Sequence, residues 1–241
     1  EGLVGSEMCI RARGTGGTAY AEGIHVPLLV RAPDGLRNVR RSAVTSHVDL
    51  LPTLVGLADL PSTTAAEATS GLPGRDASPL VHHGESGDDT VRDGAVFAAS
   101  NVIYLDGEFV GRAVELRDQG RTPDEIRAEL IAPNLSNRCF IRTVIDGRYK
   151  LTRYFAPLEH HRAATVDELF ERNDVELFDL ADDPNEMRNL AIEGADHRPI
   201  VEELNKKLTH LLDTEIGAHE DGRYLPAIPG MSWAVADLTN V

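Results

Sequence analysis

The stretch from Phe140 to Leu190 constrains this chain most, because two strand-like runs meet within it at a tight turn signal. Ile141 to Phe155 reads as a hairpin around Asp146-Gly147, since a two-residue Asp-Gly loop supplies the positive φ angles that such a turn demands. That pairing sets Ile145 opposite Arg148. One face then carries Phe140, Val144, Tyr149, Leu151 and Phe155, with Arg142 and Arg153 among them, while Thr143, Lys150 and Thr152 fall on the other. The first face is the expected core side. A further strand at Glu176 to Leu180 runs into Asp183-Pro184-Asn185-Glu186. There Asp183 reads as an N-cap, Pro184 as the first helical residue and Glu186 as the closing member of a capping box.

The clearest helical pattern follows at about Pro199 to Ile216. Ile200, Val201, Leu204, Leu208, Leu211, Leu212 and Ile216 recur at three and four, with Asp196 as cap and Gly217 as stop. This stripe is expected to cover one face of the hairpin sheet. The tail from His219, which holds Trp233, reads as a packed arm.

Upstream, Ile24 to Val30 is apolar on both faces and has the length of a buried strand, with Pro27 removing one ladder donor. Asp49 to Leu60 reads as a helix capped by Asp49, with Leu51, Leu54, Val55 and Ala58 on one face and His47 in the preceding loop. Residues 61–93 read mainly as loop, since they are rich in Ser, Thr, Ala, Gly and Asp. Ala95 to Ala99 is strand-like. Residues 106–134 form a polar excursion with a helix capped by Thr122-Pro123-Asp124-Glu125 and stopped at Pro133.

At 241 residues the chain suits one large domain or two small ones. A net charge of −15 argues against nucleic acid or an anionic membrane as main partner, because both select basic patches. No run of eighteen apolar residues is present to span a bilayer. The two cysteines, Cys9 and Cys139, make no disulfide framework and leave the redox compartment open.

Four segments in order carry a family resemblance. "GTGGTAYAEGIHVPLLVRAP", "SHVDLLPTLVGLADL", "DGRYKLTRYF" and "ELFDLADDPNEMRNLA" resemble the later part of the sulfatases, a branch of the alkaline-phosphatase-like superfamily. The likeness covers roughly Gly14 to Ala191. It implies an α/β fold: the remnant of an alkaline-phosphatase-like α/β/α sandwich over 14–134, then a C-terminal α+β subdomain over 135–241 with a small antiparallel sheet and a long packed helix. Residues 1–13 stop resembling sulfatases at Gly14 and read as adapter sequence of the kind that contaminates metagenomic assemblies; the other reading is a divergent loop.

The resemblance also implies chemistry. Sulfatases hydrolyse sulfate esters with a formylglycine made from a Cys/Ser-x-Pro-x-Arg motif, and a calcium ion held by Asp and Asn or His neutralises the sulfate. Cys9-Ile-Arg-Ala-Arg13 lacks the proline, and Cys139-Phe-Ile-Arg142 lacks proline and spacing; Cys139 reads as a buried apolar side chain. Thr15 stands where the family has its sulfate-contacting lysine. No catalytic or metal residue is therefore assigned. The candidates for substrate contact are His160 and His161, which follow the second hairpin strand, against a reading as surface histidines. His82 and His83 are adjacent on an extended segment, point apart and read as loop.

The expectation is a C-terminal fragment of a sulfatase-like hydrolase. Calcium, formylglycine and a small sulfate ester would belong to the full-length parent, with no cofactor in this chain. The alternatives are a phosphonate or phosphate monoester hydrolase of the same superfamily, or a non-catalytic interaction module. Oligomeric state stays open, as does bacterial cytoplasm against periplasm.

Overall fold

The computed structural model describes residues 18–82, 90–101, 106–130, 134, 136–156, 163 and 165–217. Its centre is a four-stranded antiparallel sheet in the order β1-β2-β3-β4, formed by β1 (Ala95–Ser100), β2 (Phe140–Ile145), β3 (Tyr149–Phe155) and β4 (Asp174–Asp179). The hairpin expected from Asp146-Gly147 is present, displaced by one position. The loop is Gly147-Arg148, and Ile145 pairs with Lys150 rather than with Arg148. Asp146 stays outside the turn because its carboxylate accepts from the amides of Arg148 (3.0 Å) and Tyr149 (2.7 Å). Gly147, at φ +101°, takes the position where the chain must turn left-handed. The partner of each residue moves by two, so every side chain keeps its expected face.

On the core face, Val144 lies opposite Leu151 and Leu151 opposite Leu177. The long helix α8 (Arg198–Leu211) covers them, placing Val201, Leu204, Leu208 and Leu211 in the same apolar cluster. Each such fully buried side chain contributes about 1.5–3 kcal/mol. A π-helical turn at Leu212–Ile216 ends at Gly217, φ +67°. Asp196 makes no side-chain cap; it lies in a 3-10 turn, Ala195–His197, ahead of the helix.

The opposite face carries Thr143, Lys150 and Thr152, which are buried as well, and the half-buried Tyr154. A solvated second face is the usual partner of a one-sided alternation. Here the hydroxyls of Thr143 and Thr152 bond each other at 3.0 Å, and residues 19–21 reach Lys150.

Three expectations fail upstream and downstream of the hairpin. Residues 24–30 form no strand: α1 (Ala21–Ile24) is a single helical turn, and 25–30 lie exposed outside any ladder. Their apolar pattern is that of a buried strand, but among the described residues no strand pairs with them. Helix α2 (Leu50–Leu57) is present, yet Leu51 and Leu54 on its expected inner face are exposed, while Pro52 and Thr53 are buried. Asp49 holds the N-cap position of α2 as expected but makes no side-chain cap to it. It closes a capping box on Ser46 at the head of a 3-10 turn, His47–Asp49. Finally, Asp183-Pro-Asn-Glu186 starts no helix; Glu186 adopts φ +56° and turns its carboxylate inward.

The loop expected over 61–93 contains two helices, α3 (Ser62–Thr69) and the short α4 (Pro79–His82), with His82 exposed. The polar excursion holds α5 (Gly107–Asp118), capped by Asp106, and α6 (Pro123–Glu129) with the expected Thr122–Glu125 box. Helix α7 (Val166–Arg172), capped by Thr165, precedes β4. Among the described residues no helix is long and apolar enough to cross a membrane.

Candidate functional site

Lys150 stands on β3 directly opposite Ile145 on one side and Phe178 on the other, with its side chain only 1% exposed. An ammonium placed there needs partners, because stripping water from it is costly. It donates to the carbonyl of Ala19 at 2.7 Å and to the carboxylate of Glu186. Glu186 in turn accepts from the amide of Ala21 at 3.0 Å through its other oxygen. Lysine and glutamate thus grip the backbone of residues 19–21 from both sides. Burial pulls the Lys150 ammonium below its usual range, and Glu186 opposes that pull.

Glu176 sits beside this pair. Its two oxygens accept from the hydroxyls of Tyr20 (3.1 Å) and Tyr154 (2.7 Å). Burial first, and the Glu176 charge second, push the Tyr154 phenol well above its ordinary value. The Tyr20 ring packs on Phe178 with centroids 6.1 Å apart, and Lys150 lies 5.6 and 5.4 Å from the two ring centres. The arrangement anchors a chain segment; nothing in it presents an accessible nucleophile.

A second buried charge network lies just before the start of β1. Arg92 is fully enclosed and donates to both oxygens of Asp49, at 2.9 and 2.5 Å, and to Glu215 at 2.7 Å. Asp49 also accepts from the amides of Ser46 (2.7 Å) and Arg75 (2.8 Å). One arginine therefore ties the start of α2 to the π-helical turn after α8. Along the outer edge of β4 runs a groove of about 480 Å³ beside Tyr154, Phe170, Glu176 and Asn189. Asn189 accepts from the Leu177 amide at 2.9 Å and donates to the Val175 carbonyl at 3.0 Å, closing that edge with a side chain.

Of the residues singled out in the sequence, Cys9, Thr15, His83, His160 and His161 lie outside the described residues. Cys139 is buried beside β2, and desolvation pushes its thiol up to about 11. Arg142 and Arg153 face each other across β2 and β3. Arg142 donates to the carbonyls of Ala99 and Ile141 and lies over the Phe140 and Phe155 rings, while Arg153 donates to Asn205. Among the described residues no three His, Cys, Asp or Glu side chains converge on a point where a metal ion would sit. Hard cations need several converging oxygens, so these residues do not fit a calcium ion, and the buried Cys139 does not fit a formylglycine nucleophile.

Sequence patterning missed Lys150, Glu186 and Arg92. Lys150 was visible only as one member of the polar hairpin face with Thr143 and Thr152, and Glu186 satisfied a capping pattern equally well.

The segment that Lys150 and Glu186 hold belongs to a recognisable stretch, since residues 7–60 match the Sulfatase family. The chain is similar to the sulfatases. That match begins at residue 7, so residues 7–13 of the segment expected to be foreign fall inside it. No curated protein matches the chain. Among solved structures, a Bacteroides thetaiotaomicron protein from a locus for glycosaminoglycan metabolism is 21% identical, with TM-score 0.42 over 71% of this chain and 27% of its own. The phosphonate monoester hydrolase of Agrobacterium radiobacter is 22% identical, with TM-score 0.39 over 72% of this chain and 25% of its own. A 2-O GAG sulfatase is 18% identical, with TM-score 0.40 over 76% and 27%. The chain spans about a quarter of the length of these structures.

Proposed function

We propose that these residues serve as the C-terminal part of a longer sulfatase-like hydrolase, holding a piece of its main domain in place rather than performing the chemistry. The observation that carries this reading is the Lys150–Glu186 grip on residues 19–21. It joins three stretches far apart in sequence, and each lies in one of the segments that resemble sulfatases: the one around Tyr20, the hairpin and the one ending in "DDPNEMRNLA". A buried, mutually satisfied ion pair across such a junction suits a fixed scaffold. The nucleophile and the calcium site of sulfate-ester hydrolysis would then be supplied by other residues of the longer protein.

The test is the contiguous genomic DNA and the polypeptide it encodes. A Cys/Ser-x-Pro-x-Arg motif and an acidic metal site are expected upstream, and the encoded protein should turn over an aryl sulfate faster than an aryl phosphonate. Preference for the phosphonate would move the assignment to the phosphonate or phosphate monoester hydrolases. An in-frame stop shortly before the Glu1 codon, repeated in independent clones, would refute the hydrolase reading and leave a non-catalytic interaction module.

A further inference from the structure

The groove along the outer edge of β4 holds one polar group that the chain leaves unmet. Asn173, which ends α7 and is only 4% exposed, lines it, and its side-chain Nδ2 has no hydrogen-bond partner among the described residues. Buried donors are nearly always paired, so this one calls for an explanation. The other polar side chains of the lining are met from within. Arg138 donates to Asp174 and to the Glu171 carbonyl, Glu176 accepts from Tyr20 and Tyr154, and Asn189 is engaged with the Leu177 amide and the Val175 carbonyl. The rest of the lining is apolar: Phe170, Val175 and Ile192, the last 77% exposed. The groove therefore suits one hydrogen-bond acceptor set among apolar atoms.

That requirement selects the occupant. A buried water is held by about three hydrogen bonds, and a sugar brings several hydroxyls that each need a partner; neither finds them beside a single open donor. An anion would face the carboxylates of Asp174 and Glu176. A main-chain carbonyl next to an apolar side chain supplies both parts at once. Because Asn189 already takes the strand-pairing groups of Val175 and Leu177, such a polypeptide lies in the groove as a loop and not as an added strand.

Position says which polypeptide. Glu176, on the groove wall, is also the residue that accepts from the Tyr20 hydroxyl, so the contact that seats residues 19–21 continues directly into the groove. Residues 19–21 belong to the stretch that matches the Sulfatase family. We infer that the groove is a second seat for the same longer protein: a loop of its main domain places one carbonyl on Asn173 Nδ2 and an apolar side chain against Phe170 and Ile192. This rests on the reading of the chain as the C-terminal part of a longer hydrolase, and it extends the junction from the Lys150–Glu186 grip to the edge of β4.

The experiment compares the 241-residue chain with the longer protein encoded by the contiguous DNA, using hydrogen exchange at the amides of residues 166–177. These should exchange about tenfold slower or more in the longer protein. Asn173→Leu should act in opposite directions in the two. In the 241-residue chain it removes an unmet buried donor, so exchange should be unchanged or slower; in the longer protein it strands the incoming carbonyl, and exchange should be about tenfold faster. The backbone of Asn173 is extended, at φ −124°, so leucine fits it without strain. Ile192→Ser, at an exposed position, should be silent in the chain alone and accelerate exchange in the longer protein. Variants with the same effect in both proteins, or equal protection of 166–177 in both, would overturn the inference even if the longer protein hydrolyses an aryl sulfate. Slowing in the shorter chain that grows with its own concentration would also overturn it, with a second copy as the occupant. Failure of the parent reading is a separate result: an in-frame stop shortly before the Glu1 codon removes the longer protein, and this inference with it.

Discussion

Lys150 is the residue whose environment departs most from what its type prefers, since it is enclosed on a strand face with one carboxylate, Glu186, in direct contact. Removing one partner of a buried pair leaves the other charge uncompensated, at about 3–5 kcal/mol, whereas replacing both by apolar groups is often neutral. Lys150→Met and Glu186→Leu should therefore each lower the urea midpoint sharply, and the double variant should recover most of the loss. A double variant as unstable as both singles together would show that the two side chains act independently. Tyr154 gives a prediction in pH. Its folded-state pKa is raised, so its contribution is full below about pH 10 and is lost as pH climbs further, when the phenol of the unfolded chain ionises. Lys150 acts with the opposite sign near the same pH, because its folded-state pKa is lowered. Comparing the parent chain with Tyr154→Phe isolates the phenol. Between about pH 9 and about pH 11 the parent's urea midpoint should fall more steeply than the variant's; parallel curves would contradict the assignment.

At the scale of elements, β4 shows how a sheet edge is closed without another strand. The Asn189 side chain pairs with the Leu177 amide and the Val175 carbonyl, in place of a neighbouring backbone, and so blunts an edge that would otherwise recruit one. Asn189→Ala leaves these two groups without their partner. The expected cost is about 1–3 kcal/mol, with faster hydrogen exchange at Leu177 and a greater tendency to associate; an unchanged Leu177 amide would show that the edge does not depend on this side chain. The elements most legible in the sequence were those whose partners are local. Alternation around Gly147 specified the hairpin faces, and the three-four spacing from Ile200 to Ile216 specified the helix that covers them. The turn slipped by one because the Asp146 carboxylate competes for the loop amides, a side-chain choice that dipeptide preference does not register. Residues 24–30 were misjudged for another reason. Apolar content tells what a segment would bury against, not whether that partner is at hand. The buried pair was illegible because its members stand on different elements, Lys150 on β3 and Glu186 at a left-handed turn.

For the whole molecule, burial is uneven. The apolar cluster draws on residues 144–212, while much of residues 25–72 lies exposed around the buried Asp49, Pro52 and Thr53. What binds α2 to the sheet-and-helix unit is largely polar, and Arg92 is its centre, with Asp49 on one side and Glu215 on the other. Arg92→Met keeps an unbranched apolar stem but withdraws every guanidinium donor. Asp49 would retain the amides of Ser46 and Arg75, so the capping box should persist while the tie to the π-helical turn is lost. If a buried pair loses about 3–5 kcal/mol with one partner gone, amides of residues 50–57 should exchange about a hundredfold faster or more. The strands β2 and β3 and helix α8 should keep their protection, because their cluster includes neither Arg92 nor Asp49. Mass-spectrometric hydrogen exchange on the parent and the variant reads both regions in one experiment. Equal acceleration in α2 and α8 would mean that the chain opens as one cooperative unit, and that Arg92 supports the core itself rather than the attachment of α2 to it.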